Sequence, residues 1–303
     1  MSETEEEYAL KFNLKGHKKP ITGISFHPNA KQFASSSEDS TLMVWNVAQN
    51  TRSYSFKGHS DSVTGVEYSP SGELLASCSQ DQTLRIWVTK QSQMGTCMEI
   101  RAHLSPVRCL AFAPQGTQII TGSNDKSMKL WSVARKNFLK SFVGHTSWVR
   151  SVHFAQDGQK IVSCADDQTI RVWDPISGQN THTFRTKAGP CSVALHPNGN
   201  NIAVAMNSGS VRVYDIRNEK LNQHYVLHDS TTCVCWHPCA NFLLTSGKDG
   251  KVHLVDVMEG RPLYTFGGHE GAVMTVRFNK EGDYFASGGA DKRILVWKVN
   301  LSN

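Results

Sequence analysis

A chain of 303 residues with 39% hydrophobic and 19% charged content has the balance of a soluble, core-forming protein. It is longer than one average domain, so internal repeats are the first thing to seek. No apolar run reaches the roughly 18–20 residues of a membrane-spanning helix. The formal net charge is +6 although Glu3, Glu5, Glu6 and Glu7 crowd the N-terminus, so the remainder is more basic still and favours acidic partners. No dense Lys/Arg block marks a nucleic-acid or membrane-surface site, and neither partner is expected.

The chain opens on MSETEEEY, acidic and without an apolar stretch, which reads as a disordered tail over residues 1–7 and not as a secretory signal. YALKFNL (8–14) follows as a strand and leads into GHKKPITGISF (16–26). That pattern returns as GHSDSVTGVEY (58–68), AHLSPVRCLAF (102–112), GHTSWVRSVHF (144–154) and GHEGAVMTVRF (268–278). His17, His59, His103, His145, Lys187, His228 and His269 stand at steps of 42, 44, 42, 42, 41 and 41 residues. A second series keeps pace: Trp45, Trp87, Trp131, Trp173, Tyr214, Val255 and Trp297.

Each unit divides into short strands. VTGVEYSPSGELLASCSQDQTLRIW (63–87) alternates, turns at Ser-Pro-Ser-Gly, runs apolar, turns at Gln-Asp-Gln and alternates again. A fourth strand follows the aromatic, as TRSYSF (51–56) does. The last unit ends at WKVN without one, so residues 8–14 are expected to complete it and close the ring. The expected organisation is a single domain over 8–300, because no one unit can cover its own faces.

Five units carry a matched polar set: His17, Ser35, Asp39 and Trp45; His59, Ser77, Asp81 and Trp87; His103, Thr121, Asp125 and Trp131; His145, Ser163, Asp167 and Trp173; His269, Ser287, Asp291 and Trp297. A Ser-His-Asp combination suggests nucleophilic catalysis, but a triad needs one exposed nucleophile and an oxyanion hole, not five internal copies. Unit five has Lys187, Val204, Ser208 and Tyr214 instead; unit six keeps His228, Thr245 and Asp249 but has Val255. These two units are therefore expected to be the softest. No phosphate-cradling loop or nucleophile elbow is present, so no catalytic residue, cofactor or enzyme activity is expected.

There are eight cysteines, none in a C-x-x-C pair, which fits free thiols in a reducing, cytoplasmic setting. Cys233, Cys235, His237 and Cys239 lack zinc-knuckle spacing, and no metal is expected.

A period of 40–45 residues with GH and Trp-Asp landmarks resembles the WD40 repeat, four strands to a propeller blade. The resemblance implies an all-β, seven-bladed propeller whose last blade is closed by the N-terminal strand. It also implies that the matched sets are structural tetrads, with indole, hydroxyl, imidazole and carboxylate bonded in series. Partner binding is then expected at the channel rim. One rim series runs Thr22, Thr64, Arg108, Arg150, Ser192, Cys233 and Met274. Two residues earlier stand Pro20, Ser62, Pro106, Trp148, Pro190, Thr231 and Ala272, and before the turn aspartate stand Glu38, Gln80, Asn124, Asp166, Asn207, Lys248 and Ala290. The candidate binding residues are Trp148, Arg150, Arg108, Glu38, Asp166 and Lys248, with Trp148 foremost, because Trp and Arg dominate interface hot spots. Trp236, whose counterparts are Phe26 and Tyr68, reads as core.

A narrower resemblance rests on STLMVWNV (40–47), LLASCSQDQTLRIWV (74–88), SWVRSVHF (147–154), LNQHYVLH (221–228), MEGRPLYTFGGH (258–269) and GDYFASGGADKRILVWK (282–298). These stretches are similar to the propeller of the centriolar "proteome of centriole" (Poc-type) family. That implies a scaffold of centrioles and basal bodies that stabilises microtubule triplets and supports cilium formation, with tubulin and other centriolar proteins as partners. The family carries a C-terminal coiled-coil extension; self-association by that route needs residues absent here, since no heptads follow the propeller up to Asn303. A rival is a substrate receptor of a cullin-type ubiquitin ligase: VRVYDIR (211–217) resembles a WD-x-R box, with Asp215 and Arg217 as docking residues.

Overall fold

The computed structural model describes residues 8–47, 51–90 and 94–301. The acidic segment 1–7 and its expected disorder lie outside those residues. Twenty-eight strands form seven four-stranded antiparallel sheets, and no helix occurs among the described residues. Blade one spans Ile21–Lys57, blade two Val63–Arg101, blade three Val107–Phe142, blade four Val149–Arg185, blade five Pro190–Val226 and blade six Thr231–Phe266, in residue order from first strand to fourth. Blade seven takes three strands from Val273–Val299 and its outer strand from Tyr8–Lys15. The closing strand runs antiparallel to Arg293–Val299, from Tyr8 opposite Val299 to Lys15 opposite Arg293. Tyr8 stacks on Tyr264 of blade six at 4.6 Å. The expected ring closure is thus present.

The core lies between blades. One buried cluster joins Ala111, Ile120, Met128, Leu130 and Phe142 of blade three to Val149, Val152, Ile161 and Trp173 of blade four. Another joins Ala286, Ile294 and Val296 of blade seven to Ile24, Phe33 and Trp45 of blade one, with Leu14 of the closing strand. Alternating side chains give each sheet two faces, and each is covered only by a neighbour.

Within five blades the polar set forms the expected chain. In blade four, Trp173 Nε1 donates to Ser163 Oγ at 2.9 Å. Ser163 Oγ meets His145 Nε2 at 2.8 Å, and His145 Nδ1 meets Asp167 Oδ2 at 2.9 Å. Blades one, two, three and seven repeat these links, the longest being Trp297 to Ser287 at 3.3 Å. The aspartate also receives backbone N–H groups, as Asp39 does from Lys18 and Thr41, and so tightens the turn between the second and third strands. The residue after it adopts positive φ in every blade. Ser40, Gln82, Lys126, Gln168 and Lys292 do so where the full tetrad supports the turn. In blades five and six, where the set is incomplete, the position is Gly209 and Gly250, which meet no Cβ penalty there.

In blade five Val204 fills the hydroxyl position fully buried, and in blade six Val255 fills the indole position, so apolar packing replaces the missing links. Each lost hydrogen bond is worth about 0.5–1.5 kcal/mol. Hydrogen exchange in the second and third strands of blades five and six should therefore outpace that of Leu74–Val88 in blade two, by roughly 3- to 10-fold; equal protection would refute this reading.

Burial opposes ionisation of Asp39, Asp81 and Asp125, but hydrogen bonds from the tetrad histidine and from Thr41, Thr83 or Ser127 outweigh it and hold all three well below the usual carboxylate range. Burial also pulls His145 and His269 down, against the pull of their aspartates. Both kinds of group have depressed folded values, so the stability they contribute is present above their unfolded values and lost as pH falls. Urea midpoints should decline from about pH 6.5, the unfolded histidine range, and steeply below about pH 4. Asp125→Asn should flatten the lower limb.

Candidate functional site

The rim of the channel is built by one recurring irregularity. In every blade the first strand shifts register after its first residue, between Ile21 and Gly23, Val107 and Cys109, or Val149 and Ser151 for example. The skipped residue opposes nothing on the second strand, and such a bulge re-aims its side chain. Thr22 and Thr64 use this position to tie blades together, donating to Val63 O at 2.7 Å and Val107 O at 2.6 Å. Blades three and four put arginines there instead.

Arg108 and Arg150 flank Trp148, their guanidinium carbons 5.6 and 5.4 Å from the indole centroid. Arg150 is bidentate to Asp166, Nε to Oδ1 at 2.7 Å and Nη2 to Oδ2 at 2.6 Å. These bonds raise its already high pKa and leave it a paired, oriented prop. Arg108 Nε donates to Asn124 Oδ1 at 2.9 Å, and no ion pair of Arg108 occurs among the described residues. Burial, then the charge of Arg150, pull Arg108 down from a value high enough that it stays cationic. Trp148 is 42% exposed, so it does not pack away against a neighbouring loop. The group is a solvent-facing indole braced by two cations, with one cation uncompensated.

Four of the expected binding residues therefore meet: Trp148, Arg108, Arg150 and Asp166. Glu38 and Lys248 occupy the equivalent rim position in blades one and six, each with its N–H bonded across the blade, to Pro20 O and Ser230 O. Among the described residues neither side chain bonds to the Trp148 group. Four rim assignments need correction. The matching bonds run from Asn207 N to Gly189 O and from Lys248 N to Ser230 O, so Gly189 and Ser230, not Pro190 and Thr231, match Trp148. Likewise the bulges put Cys191 and Thr232, not Ser192 and Cys233, at the place that Arg150 holds in blade four. The missing residue of blades five and six lies just ahead of the first strand, which moves the rim by one.

Below the rim a cavity of ≈ 400 Å³ holds side chains that the sequence reading passed over. Glu67, His153 and Arg277 line it, each the residue before the aromatic that ends a first strand. A charged residue there, where other blades have Ser25, Ala111 or Ala194, was the available signal. Burial pushes the Glu67 carboxyl up to about 7, opposed by the Phe112 N–H and Arg277. Arg277 Nη1 lies 3.2 Å from Cys233 Sγ. Cys233 thus lines the channel, Cys235 packs at the junction of blades six and seven, and His237 Nδ1 and Cys239 Sγ pair with each other at 2.8 Å; the four do not converge. All eight cysteines are free.

The WD domain, G-beta repeat model matches residues 9–46, 50–88, 95–132, 136–174, 178–215, 219–256 and 260–298. Each match takes the outer strand of one blade and the inner three of the next, so the linear repeat and the blade are out of phase. Among curated proteins, the chain is similar to Protein SOF1 of Saccharomyces cerevisiae, 31% identical over 112 residues, 36% of this chain and 23% of that one. It is similar to Cilia- and flagella-associated protein 52 of Mus musculus, 26% identical over 115 residues, 38% of this chain and 18% of that one. It is also similar to the Denticleless protein homolog of Danio rerio, 32% identical over 113 residues, 36% of this chain and 18% of that one. Each match spans less than a quarter of the relative's length.

Trp148 and Trp173 stand 25 residues apart with opposite roles. Trp148→Ala removes an exposed side chain and two cation–π contacts, and should cost at most about 1–2 kcal/mol. Trp173→Ala empties an inter-blade core and breaks a tetrad, and should cost about 3–5 kcal/mol. Chemical denaturation of the two variants separates them.

Proposed function

We propose a function from one premise: the chain belongs to the WD domain, G-beta repeat family. Propellers of this family generally serve as interaction scaffolds. In our reading this chain is a non-enzymatic scaffold of centrioles and basal bodies, docking partners on the rim at Trp148 and helping to hold microtubule triplets. The observation that carries the docking site is the exposed indole between Arg108 and Arg150. An indole supplies contact area at little entropic cost, and Arg108 supplies donors for a carboxylate. The pairing suits an acidic partner such as the tubulin surface. Support for the location comes from the stretches similar to the Poc-type family and from the similarity to a cilia- and flagella-associated protein.

A second reading has its own observation. Arg217 is exposed and pairs in bidentate fashion with buried Asp215, Nη2 to Oδ2 at 2.9 Å and Nε to Oδ1 at 3.2 Å. A presented arginine at the end of a third strand suits docking to a cullin-ligase adaptor, and the chain is similar to a Denticleless homolog.

Co-pelleting of the purified protein with stabilised microtubules, across a salt series, tests the first reading. Binding should weaken as salt shortens the screening length, and Trp148→Ala with Arg108→Glu should abolish it. Absence of pelleting at low salt, together with co-purification of a ligase adaptor that Arg217→Ala removes, would instead support the second.

A further inference from the structure

Blade six departs from its siblings at two linked places. Its indole is replaced by Val255, and the residue opposite the tetrad hydroxyl is His253. In other blades that place holds Met43, Arg85, Lys129, Arg171 or Leu295. Thr245 and His253 are directly paired across strands and share a face, so His253 points toward His228. The two imidazole centroids are 4.6 Å apart. His228 Nδ1 lies 3.0 Å from both oxygens of Asp249. A ring nitrogen of each histidine and a carboxylate oxygen of Asp249 lie within 4.8 Å of one another. Among the described residues this is the one such group of His, Cys, Asp and Glu close enough to share an ion.

His253 Nε2 is buried and without a hydrogen-bond partner. Its Nδ1 meets Thr265 Oγ1 at 2.9 Å, and His228 Nε2 meets Thr245 Oγ1 at 3.0 Å. Each ring is therefore held through the nitrogen that faces away from the gap, the usual arrangement around a metal.

We propose that blade six binds a zinc ion through His228 Nδ1, Asp249 and His253 Nε2, with water in the fourth position. Two imidazoles and a carboxylate form a zinc-type donor set. An ion about 2.0–2.1 Å from each donor brings donors to about 3.3 Å from one another. The His228–Asp249 spacing of 3.0 Å already approaches this, so most of the adjustment falls on His253.

The lost tryptophan leaves the Thr245 hydroxyl one partner short, which favours this use of His228. Elsewhere the indole N–H occupies a lone pair of the hydroxyl, and the series ends with Nδ1–H on the aspartate. With Val255 in its place, Thr245 Oγ1 receives no indole donor and is free to accept from Nε2–H. That tautomer leaves the Nδ1 lone pair for a cation, and the ring proton moves from Nδ1 to Nε2 with no net release. Lys248 and Lys251 are the exposed cations beside the site. The ion would link the lead-in loop of blade six to its third strand, in place of the missing indole bond.

Metal-free protein titrated with ZnCl₂ by calorimetry, with melting followed in parallel, tests this. One ion per chain and a raised melting temperature are expected. His253→Arg, the residue type of blades two and four, should melt like the metal-free parent yet bind zinc roughly tenfold or more weakly. Asp249→Asn should also weaken binding, and Cys239→Ser should leave it unchanged. If His253→Arg misfolds by circular dichroism, His253→Gln replaces it. Cobalt(II) substitution should give ligand-field bands without a thiolate charge-transfer band. The proposal is overturned by failure to bind one zinc, by full binding in the folded His253 variant, or by a thiolate band with loss in Cys239→Ser, which would move the metal to the cysteines.

Discussion

A four-stranded blade exposes two apolar faces and two unpaired edges, and only a neighbour on each side can cover those faces. That constraint governs the rest of the molecule. It places every large core cluster at a junction between blades, as with Phe142 and Trp173 between blades three and four. It also requires the ring to close, which here depends on residues nearly 300 positions apart in the chain: Tyr8 opposite Val299. The closing strand removes a free edge along Arg293–Val299 and supplies Leu14 to the junction of blades seven and one. Because the repeat is out of phase with the blade, each linear unit already bridges two sheets, and the mixed last blade follows from that phase without further design.

Repetition separates structural side chains from those with another use. The tetrad imidazoles are buried, and the same bonds recur in five blades, so their chemistry is absorbed by the fold. The bulge position shows the opposite case. Where it carries threonine it ties one blade to the next, as Thr22 and Thr64 do. Where it carries arginine, in two adjacent blades, that link is given up and two cations converge on Trp148. The loss is local because tetrads in both blades remain intact. The ring can therefore accommodate a different side chain at the rim while the tetrads of both blades stay bonded.

Most of the fold was legible because its landmarks are side chains with fixed partners. A histidine, a hydroxyl, an aspartate and an indole at constant spacing imply a single bonded series, and the spacing survives in one dimension. The rim was less legible. A bulge leaves no residue type of its own, and the one-residue deletion in blades five and six lies in a loop, so counting from the histidine misplaced Cys191 and Thr232. The channel group was missed for a different reason. Glu67, His153 and Arg277 come from blades two, four and seven, and only closure of the ring brings them to one cavity. The same holds for His253, whose meaning depends on Val255 two residues later and on the cross-strand register with Thr245.

The incomplete blades connect these features. Blade five has no tetrad and blade six a partial one, so the ring has one sector in which hydrogen bonding is weaker and packing carries more of the load. The turn after the second strand in that sector relies on Gly209 and Gly250, whereas the other five blades hold a non-glycine residue at positive φ by means of the aspartate. This sector directly follows blade four, whose rim presents Trp148. A partner seated on the indole, as proposed, would rest on two fully bonded blades and border blade five, which has no tetrad. Any link that adds a bond inside blade six, between the strand bearing His253 and the loop bearing His228, would stiffen the sector beside the proposed docking surface without touching that surface itself.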